Sequence, residues 1–376
     1  MPNKTHPIGY RPTWAEVNLD NLEHNLLQVK SRLRRETRVL VTVKADAYGH
    51  GIVPVSKRLS AAGVDYFGVA SIDEGIKLRK ARLKNPILVL GLVLKRDIRS
   101  LFTFNLTPTV CDYDLAAALD KKAAALKRRL CLHVKVDTGM GRIGVAHKDA
   151  FRLVKRISGL SSVFVEGVFT HFPFADEDRK FTLSQIDLFC ALVDDLRRNG
   201  IAVPVVHAAN SVGLIDYRNS HFNMVRPGLV IYGLYPKKGM RIKLKPVLSL
   251  KTRVIFVKQV AAGFGISYGH AYVTERPAYV ATLPIGYGDG YGRNLSNLAP
   301  LLIGGRRFHV SGRVCMDQIM VDTGNFRPKL EDEVVLIGRQ GRQSVSAEEL
   351  AKLSGTIPYE IVCGLGSRIP RVYISS

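Results

Sequence analysis

RVLVTVKADAYGHGIVPVSKRLSAAG (38–63) sets the pattern for the first two thirds of the chain. Its opening run, 38–45, is short and apolar; a polar, Gly-containing turn follows, and then an amphipathic stretch, 51–63, closed by glycine. Continuous apolar runs suit strands covered on both faces, and a one-sided apolar stripe suits a helix packed on them, so the unit reads strand–turn–helix. Further runs of the same kind are YFGVAS (66–71), ILVLGL (87–92), PTVC (108–111), CLHVKVD (131–137), VFVEGVFTH (163–171), VPVVHA (203–208) and NMVRPGLVIYG (223–233). Helical patterns lie between them: DEGIKLRKARL (73–83), DLAAALDKKAAALKRRL (114–130), HKDAFRLVKRI (147–157) and LSQIDLFCALVDDLRRNG (183–200), the last stopped by Gly200. Eight alternations predict an α/β fold, a (β/α)8 TIM-type barrel.

TWAEVNLD (13–20) and NLEHNLLQVKSRLRR (21–35) form a strand–helix extension outside the eightfold count, grouped with the barrel in a first domain, 1–245. After residue 245 the texture changes to closely spaced β-like runs: 248–260, 277–287, 307–324, 332–338 and 368–375, with one helix in SAEELAKLSG (346–355). A second, mainly β domain, 246–376, is expected, joined through LYPKKGMRIKLKP (234–246).

With 376 residues, 46% hydrophobic and 23% charged, the chain can bury large cores, which excludes disordered and rod-like classes. Lys and Arg number 55 against 32 Asp and Glu, a net charge of +23. The basic residues fall in short clusters at helical spacing and read as solvated helix faces; with no nucleic-acid-binding motif, a nucleic-acid partner is not expected. Five scattered cysteines, Cys111, Cys131, Cys190, Cys315 and Cys363, indicate neither a disulfide framework nor a zinc site, and no metal is expected. No apolar run reaches 18 residues and MPNKTHPIGYRPTWAEV (1–17) lacks a signal stretch, so a cytoplasmic protein without a membrane partner is expected.

In such a barrel the chemistry collects where strands end. Lys44 ends the first run; Asp137, Thr138, Gly139 and Arg142 follow the fifth; Thr170 and His171 close the sixth; Asn210 and Ser211 follow the seventh; Arg226, Pro227 and Gly228 sit in the eighth. An amine at the end of an apolar strand is a candidate Schiff-base former, because partial burial favours its neutral form, although a surface lysine at a strand exit looks the same. GMGRIG (139–144), with Glu166 beyond it, also satisfies a dinucleotide fingerprint and keeps a Rossmann dehydrogenase open as an alternative. The glycine of RPGL (226–229) suits close approach of backbone N–H groups to a phosphate.

VTVKADAYGHG (41–51), KVDTGMGRIG, THFPFADE, HAANS, FNMVRPGLVIYG, ISYG, LPIGYGDG, GRVCMDQ and IPYE occur in an order that resembles the alanine racemases, pyridoxal-phosphate enzymes built as a barrel followed by a β domain. The resemblance implies a homodimeric isomerase that interconverts L- and D-alanine, supplying D-alanine for peptidoglycan. It implies that Lys44 carries the cofactor and acts as one base, with Tyr268 as the other, since racemisation needs a proton removed from one face of Cα and returned on the opposite one. A phenol with its ordinary pKa near 10 needs help in that role, and His171 matches the family's assisting histidine. By the same resemblance Arg226 faces the cofactor's pyridine nitrogen and Arg142 its ring hydroxyl. Tyr48, Asn210, Ser211, Gly228, the backbone of Leu229, and Tyr359 hold the cofactor. Met316 and Asp317 surround the substrate carboxylate with Arg142, Tyr287 stands with Tyr359 at the entrance, and Lys135 matches a lysine often carbamylated in relatives. Tyr268, Tyr287, Met316 and Asp317 enter the other subunit's site in the family, which implies composite active sites. Ala271 and Gly288 depart from the family's usual hydroxyl residue and alanine. A racemase of another small amino acid such as serine, or a non-catalytic pyridoxal-phosphate protein, is the alternative reading.

Overall fold

The computed structural model describes residues 10–375; the first nine residues, part of the stretch read for a signal, lie outside them. Eight parallel strands form a ring: Arg38–Thr42, Tyr66–Val69, Ile87–Leu92, Thr107–Val110, Leu130–Asp137, Val163–Phe169, Val205–His207 and Met224–Val225. Each pairs with the next, and Met224 opposite Arg38 closes the barrel. These are the eight apolar runs. Val39, Leu40 and Val41 show why: neighbours point to opposite faces and all three are buried, one face towards the barrel axis and the other beneath helices.

The expected helices form at Ile52–Ala61, Ile72–Lys80, Tyr113–Ala125, His147–Ser158 and Arg179–Arg198. Ser71, Asp112 and Asp178 cap three of them by accepting a backbone N–H three residues on, at Glu74, Leu115 and Phe181. Gly200 ends the longest with φ +70°. Among the described residues no helix is long and apolar enough to cross a membrane.

The eighth unit differs from the regular pattern. Its strand has two residues and only a 3₁₀ turn, Leu229–Tyr232, follows. The helix Leu19–Lys30 covers that gap: Asn25 is fully buried there, its Nδ2 donating to the carbonyls of Ile231 (3.1 Å) and Lys245 (2.8 Å). The N-terminal extension therefore completes the barrel's helical layer, while its strand, Thr13–Asn18, leaves the barrel. That strand lies in the second region's sheet, antiparallel to Leu248–Arg253 and parallel to Arg371–Ile374.

The sheet continues through Glu333–Gln340, Pro300–Ile303 and Arg306–His309, with Gln343–Val345 on the side. A smaller three-stranded sheet, Phe256–Val260, Ala278–Leu283 and Ile319–Asp322, packs with it around Leu250, Leu283, Leu302, Val321 and Val335. The helix in SAEELAKLSG forms as Ala347–Ser354, and a short helix, Pro358–Cys363, lies in the IPYE motif.

Barrel and β region meet at the turn after the first barrel strand. A Cβ on Gly49 would overlap the Val362 carbonyl, and one on Gly51 would overlap the Tyr373 hydroxyl; φ is +78° and +92° at these positions. Arg371 Nε donates to the Gly49 carbonyl at 2.9 Å. Backbone strain and steric overlap act together at Gly51, so Gly51→Ala is expected to cost at least about 2 kcal/mol. A drop of several degrees in the thermal unfolding midpoint checks it; an unchanged midpoint contradicts this account of the seam.

Candidate active site

A cleft of about 430 Å³ opens at the C-terminal ends of the barrel strands, lined by Thr42, Lys44, Tyr48, Leu90, Lys135, Arg142, Phe169, His171, Asn210, Ser211, Arg226, Gly228, Ile357 and Tyr359. Lys44 stands two residues beyond its strand, on an unusual turn. Ala45, Asp46, Ala47 and Tyr48 have φ of 52°, 53°, 54° and 52°, a left-handed turn made without glycine. Such a conformation costs L-residues about 1–2 kcal/mol each, so neighbours must hold it. Glu74 does so with both oxygens, accepting from the N–H of Ala45 and of Ala70, each at 2.7 Å. Asp46 Oδ1 accepts from Ile52 N–H at 2.8 Å, and the Asp46 carbonyl from Gly51 N–H at 2.8 Å. The turn carries Tyr48 into the barrel mouth, where its ring meets Tyr232 (4.9 Å between centroids) and Tyr359 (5.5 Å).

Four cationic side chains line the cleft and no carboxylate does. Burial lowers the pKa of Lys44, and Arg142 adds to the effect against the opposing pull of Glu74 and Cys363. Burial, with Arg142 and Arg226 beside it, brings Lys135 down to about 8. Both amines are thereby biased towards their neutral forms. Opposite them lies a small-residue cradle: Gly228 N–H donates to Ser211 Oγ at 3.1 Å, and a Cβ on Gly228 would stand 2.7 Å from the Tyr48 hydroxyl.

Arg226 is buried at the barrel mouth. Its terminal nitrogens donate to His207 Nδ1 (2.8 Å) and to the carbonyls of Thr170 (2.6 Å) and Ala208 (3.0 Å), with His171 Nδ1 at 3.5 Å. Among the described residues its Nε has no partner. The chain goes on: His207 Nε2 meets His133 Nδ1 at 2.8 Å, His133 Nε2 meets Glu166 Oε2 at 3.1 Å, and Tyr66 donates to Glu166 Oε1 at 3.2 Å. Arginine only donates and a carboxylate only accepts, so both imidazoles must carry their proton on Nε2. Burial and the nearby cations push His207 and His171 well below the ordinary histidine range. Burial also lowers His133, though Glu166 pulls the other way. Arg226, brought down by burial to about 9, remains a cation at neutral pH.

The remaining sites expected from sequence lie elsewhere. Leu229 is fully buried directly behind Gly228. Tyr268, Tyr287 and Met316 are exposed on the β region, 69%, 43% and 53%, and do not line this chain's cleft. They form a patch of their own. The N–H groups of Tyr287 and Gly288 donate to the carbonyls of Cys315 (3.0 Å) and Met316 (2.9 Å), and Ser267, beside Tyr268, donates to the Arg313 carbonyl at 2.7 Å. Asp317 joins the patch through Arg368, at 2.7 Å. Gly288 has a use here: a Cβ would stand 2.6 Å from Arg368 Nη1, so its absence leaves room for that pair.

GMGRIG does not form a dinucleotide loop. Asp137 accepts from the N–H groups of Gly139 (2.9 Å), Met140 (2.8 Å) and Gly141 (2.9 Å), so the amides that would cradle a pyrophosphate hold the protein's own carboxylate. Burial alone would raise the Asp137 pKa, but these bonds bring it below the usual carboxylate range. Glu166 faces His133 inside the barrel. Nothing in the sequence marks Glu74 or Leu90 as site residues, whereas His133 and His207 stand out as polar residues inside apolar runs.

The sequence matches the model of the alanine racemase N-terminal domain over residues 17–236 and that of the C-terminal domain over 247–373. The chain belongs to the alanine racemase family. It is 47% identical to the alanine racemase of Halothermothrix orenii over 367 residues, 96% of this chain and 97% of that one. Among solved structures, the alanine racemase of Clostridium difficile 630 superposes with a TM-score of 0.92 at 40% identity, covering 97% of this chain and 96% of that one. The histidine racemase of Leuconostoc mesenteroides subsp. sake superposes at 0.89 with 28% identity, covering 99% and 100%.

The buried histidines make stability depend on pH. His50, His133, His171, His207 and His221 all have pKa values lowered by burial, His50 to about 4. Above the unfolded value near 6.5 neither state is protonated at these rings; below it the unfolded chain binds protons that the fold refuses. Stability is therefore expected to fall as pH drops below 6.5, with a slope of up to about 1.4 kcal/mol per pH unit for each ring that stays neutral in the fold. Urea unfolding at pH 7.5, 6 and 5 checks it; a flat profile contradicts the neutral-imidazole chain.

Proposed function

We propose that the protein is a pyridoxal-phosphate-dependent alanine racemase acting as a homodimer. One observation carries the reading. A lysine biased towards its neutral amine, a glycine cradle bordered by hydroxyls, and a buried arginine with Nε free of protein partners share one cationic cleft of small-ligand size. Those groups fit the amine-reactive carbonyl, the phosphate and the ring nitrogen of pyridoxal phosphate in turn. Lys44, Tyr48, Arg142, His171, Asn210, Ser211, Arg226, Gly228, the backbone of Leu229, and Tyr359 would hold it. Bound there, it supplies an electron sink for the pair left on the substrate Cα when its proton departs.

The chain's own groups do the rest. Lys44 Nζ anchors the cofactor and moves the Cα proton on one face. Tyr268 Oη of a second copy moves it on the other, which accounts for an exposed tyrosine absent from its own chain's cleft. His171, neutral and facing Arg226 with Nδ1, keeps an Nε2–H free to orient that phenol. Arg226 keeps its charge without giving up a proton and so tempers the sink, favouring reprotonation at Cα. Arg142, with Met316 and Asp317 of the second copy, would hold the substrate carboxylate, and Tyr287 of that copy would join Tyr359 at the entrance. Leu90, Ile357 and Tyr359 crowd the space for a side chain and favour a methyl group over a longer substituent.

Lys135 is close to 8 in pKa and buried beside two arginines with no carboxylate partner. Its neutral amine can attack carbon dioxide, forming an N–C bond and releasing one proton; the carbamate then lies against Arg142. After equilibration with 13C-bicarbonate, a carbamate carbon resonance is expected that is missing in Lys135→Met, and its absence from the parent protein rejects the modification.

Holoenzyme incubated with L-alanine is expected to yield D-alanine approaching an equal mixture, and serine to react more slowly. No D-alanine with cofactor bound overturns the reading. Tyr268→Phe is expected to lower turnover at least about 100-fold, the usual scale for losing a positioned acid–base group, while cofactor absorbance persists. An unchanged rate rejects the second base.

A further inference from the structure

The opposite end of the barrel holds a second recess, of about 360 Å³, lined by Arg32, Leu33, Arg34, Thr37, Arg218, Asn219, His221 and Phe222. These residues come from the two loops that enter the adjacent parallel strands Arg38–Thr42 and Met224–Val225, so the recess sits at the N-terminal ends of the strands whose other ends present Lys44 and Arg226. Three arginines, Arg32, Arg34 and Arg218, line it without a carboxylate, and among the described residues none of the three forms an ion pair. Like charges gathered in this way repel one another until an anion enters.

Its walls are built rather than loose. His221 is buried and donates from Nε2 to the Leu214 carbonyl at 2.7 Å; Ser220 Oγ donates to the carbonyls of Tyr217 (2.7 Å) and Gly213 (3.2 Å). Arg32 is held by the Arg241 carbonyl. Phe222, at φ +47°, packs edge-on against Phe189 with 5.2 Å between centroids, and with Leu33 it gives the recess an apolar side. Forked cationic donors against an apolar wall are the chemistry that recognises a phosphate group attached to a small organic body.

We propose that this recess is a binding site for a phosphorylated small molecule, separate from the active site. Its volume suits a ligand of small-metabolite size, and the site does not depend on the racemase reading.

Holoenzyme is used for the test, so that the cofactor already fills the phosphate cradle of the active site. Calorimetric titration with inorganic pyrophosphate, while cofactor absorbance is followed, is expected to show one saturable site per chain without loss of cofactor. Affinity is expected to fall at least tenfold in Arg34→Glu/Arg218→Glu and several-fold in Arg34→Gln, a milder change of an exposed residue. ADP is expected to bind more tightly than pyrophosphate through the Phe222 and Leu33 side. Lys121→Glu/Lys122→Glu, on a barrel helix, changes the net charge equally and is expected to leave affinity unchanged. No saturable binding, an equal loss in the lysine control, or release of cofactor in step with binding overturns the proposal.

Discussion

A guanidinium buried at the barrel mouth constrains the groups around it. Removing such a charge from water costs several kcal/mol unless its donors are matched, and Arg226 has no carboxylate in direct contact. Carbonyls at the ends of two neighbouring strands take one nitrogen, and a histidine takes the other. That histidine can accept only if its proton is on the far nitrogen, which needs a second acceptor, His133, and then a third, Glu166. Fixing one cation at the mouth therefore dictates the protonation of a chain that runs down into the barrel.

The cofactor lysine depends on a different balance. Its turn is left-handed over four residues that are not glycine, and the barrel strand alone offers nothing to hold that shape. Glu74 holds it from within the barrel; Val362, Arg371 and Tyr373 hold it from the β region. The second region thus shapes the site of its own chain while presenting Tyr268 and its neighbours on an outer face.

The barrel was legible because parallel strands buried on both faces leave unbroken apolar runs: six of the eight strands fall within them, and the other two, Thr107–Val110 and Leu130–Asp137, start one residue earlier. The eighth unit misled, since NMVRPGLVIYG looks like one long strand; Pro227 and Gly228 break it, and a helix from the other end of the chain fills the space. Local patterns could not show which sheet claims residues 13–18, because pairing partners more than 200 residues away decide it. At the site, Lys44, Arg226 and Ser211 were visible as polar groups ending apolar strands. The left-handed turn was not, as Ala-Asp-Ala-Tyr carries no glycine to mark it, and Glu74 reads as an ordinary helix-start acid. GMGRIG showed the limit of motifs: its glycines do expose backbone amides, but to Asp137. Tyr268, Tyr287, Met316 and Asp317 were reached only through family resemblance, since nothing in a single chain draws them to the cleft.

The strand Thr13–Asn18 has a consequence for biosynthesis. It lies between Leu248–Arg253 and Arg371–Ile374, so a nascent chain emerging from the ribosome holds the inner strand of a sheet whose partners are not yet made. One side of that strand has no partner until residue 253 is free and the other none until residue 374 is, while the strand stays tethered to the barrel. Loop closure across most of the chain makes this the slow, high-contact-order step of folding, with an unpaired edge exposed meanwhile. Barrel and β region are thus joined by interleaving rather than placed end to end, and a cut at the connecting segment near residue 245 would leave the barrel piece with an unpaired strand, Thr13–Asn18, and the β piece without it.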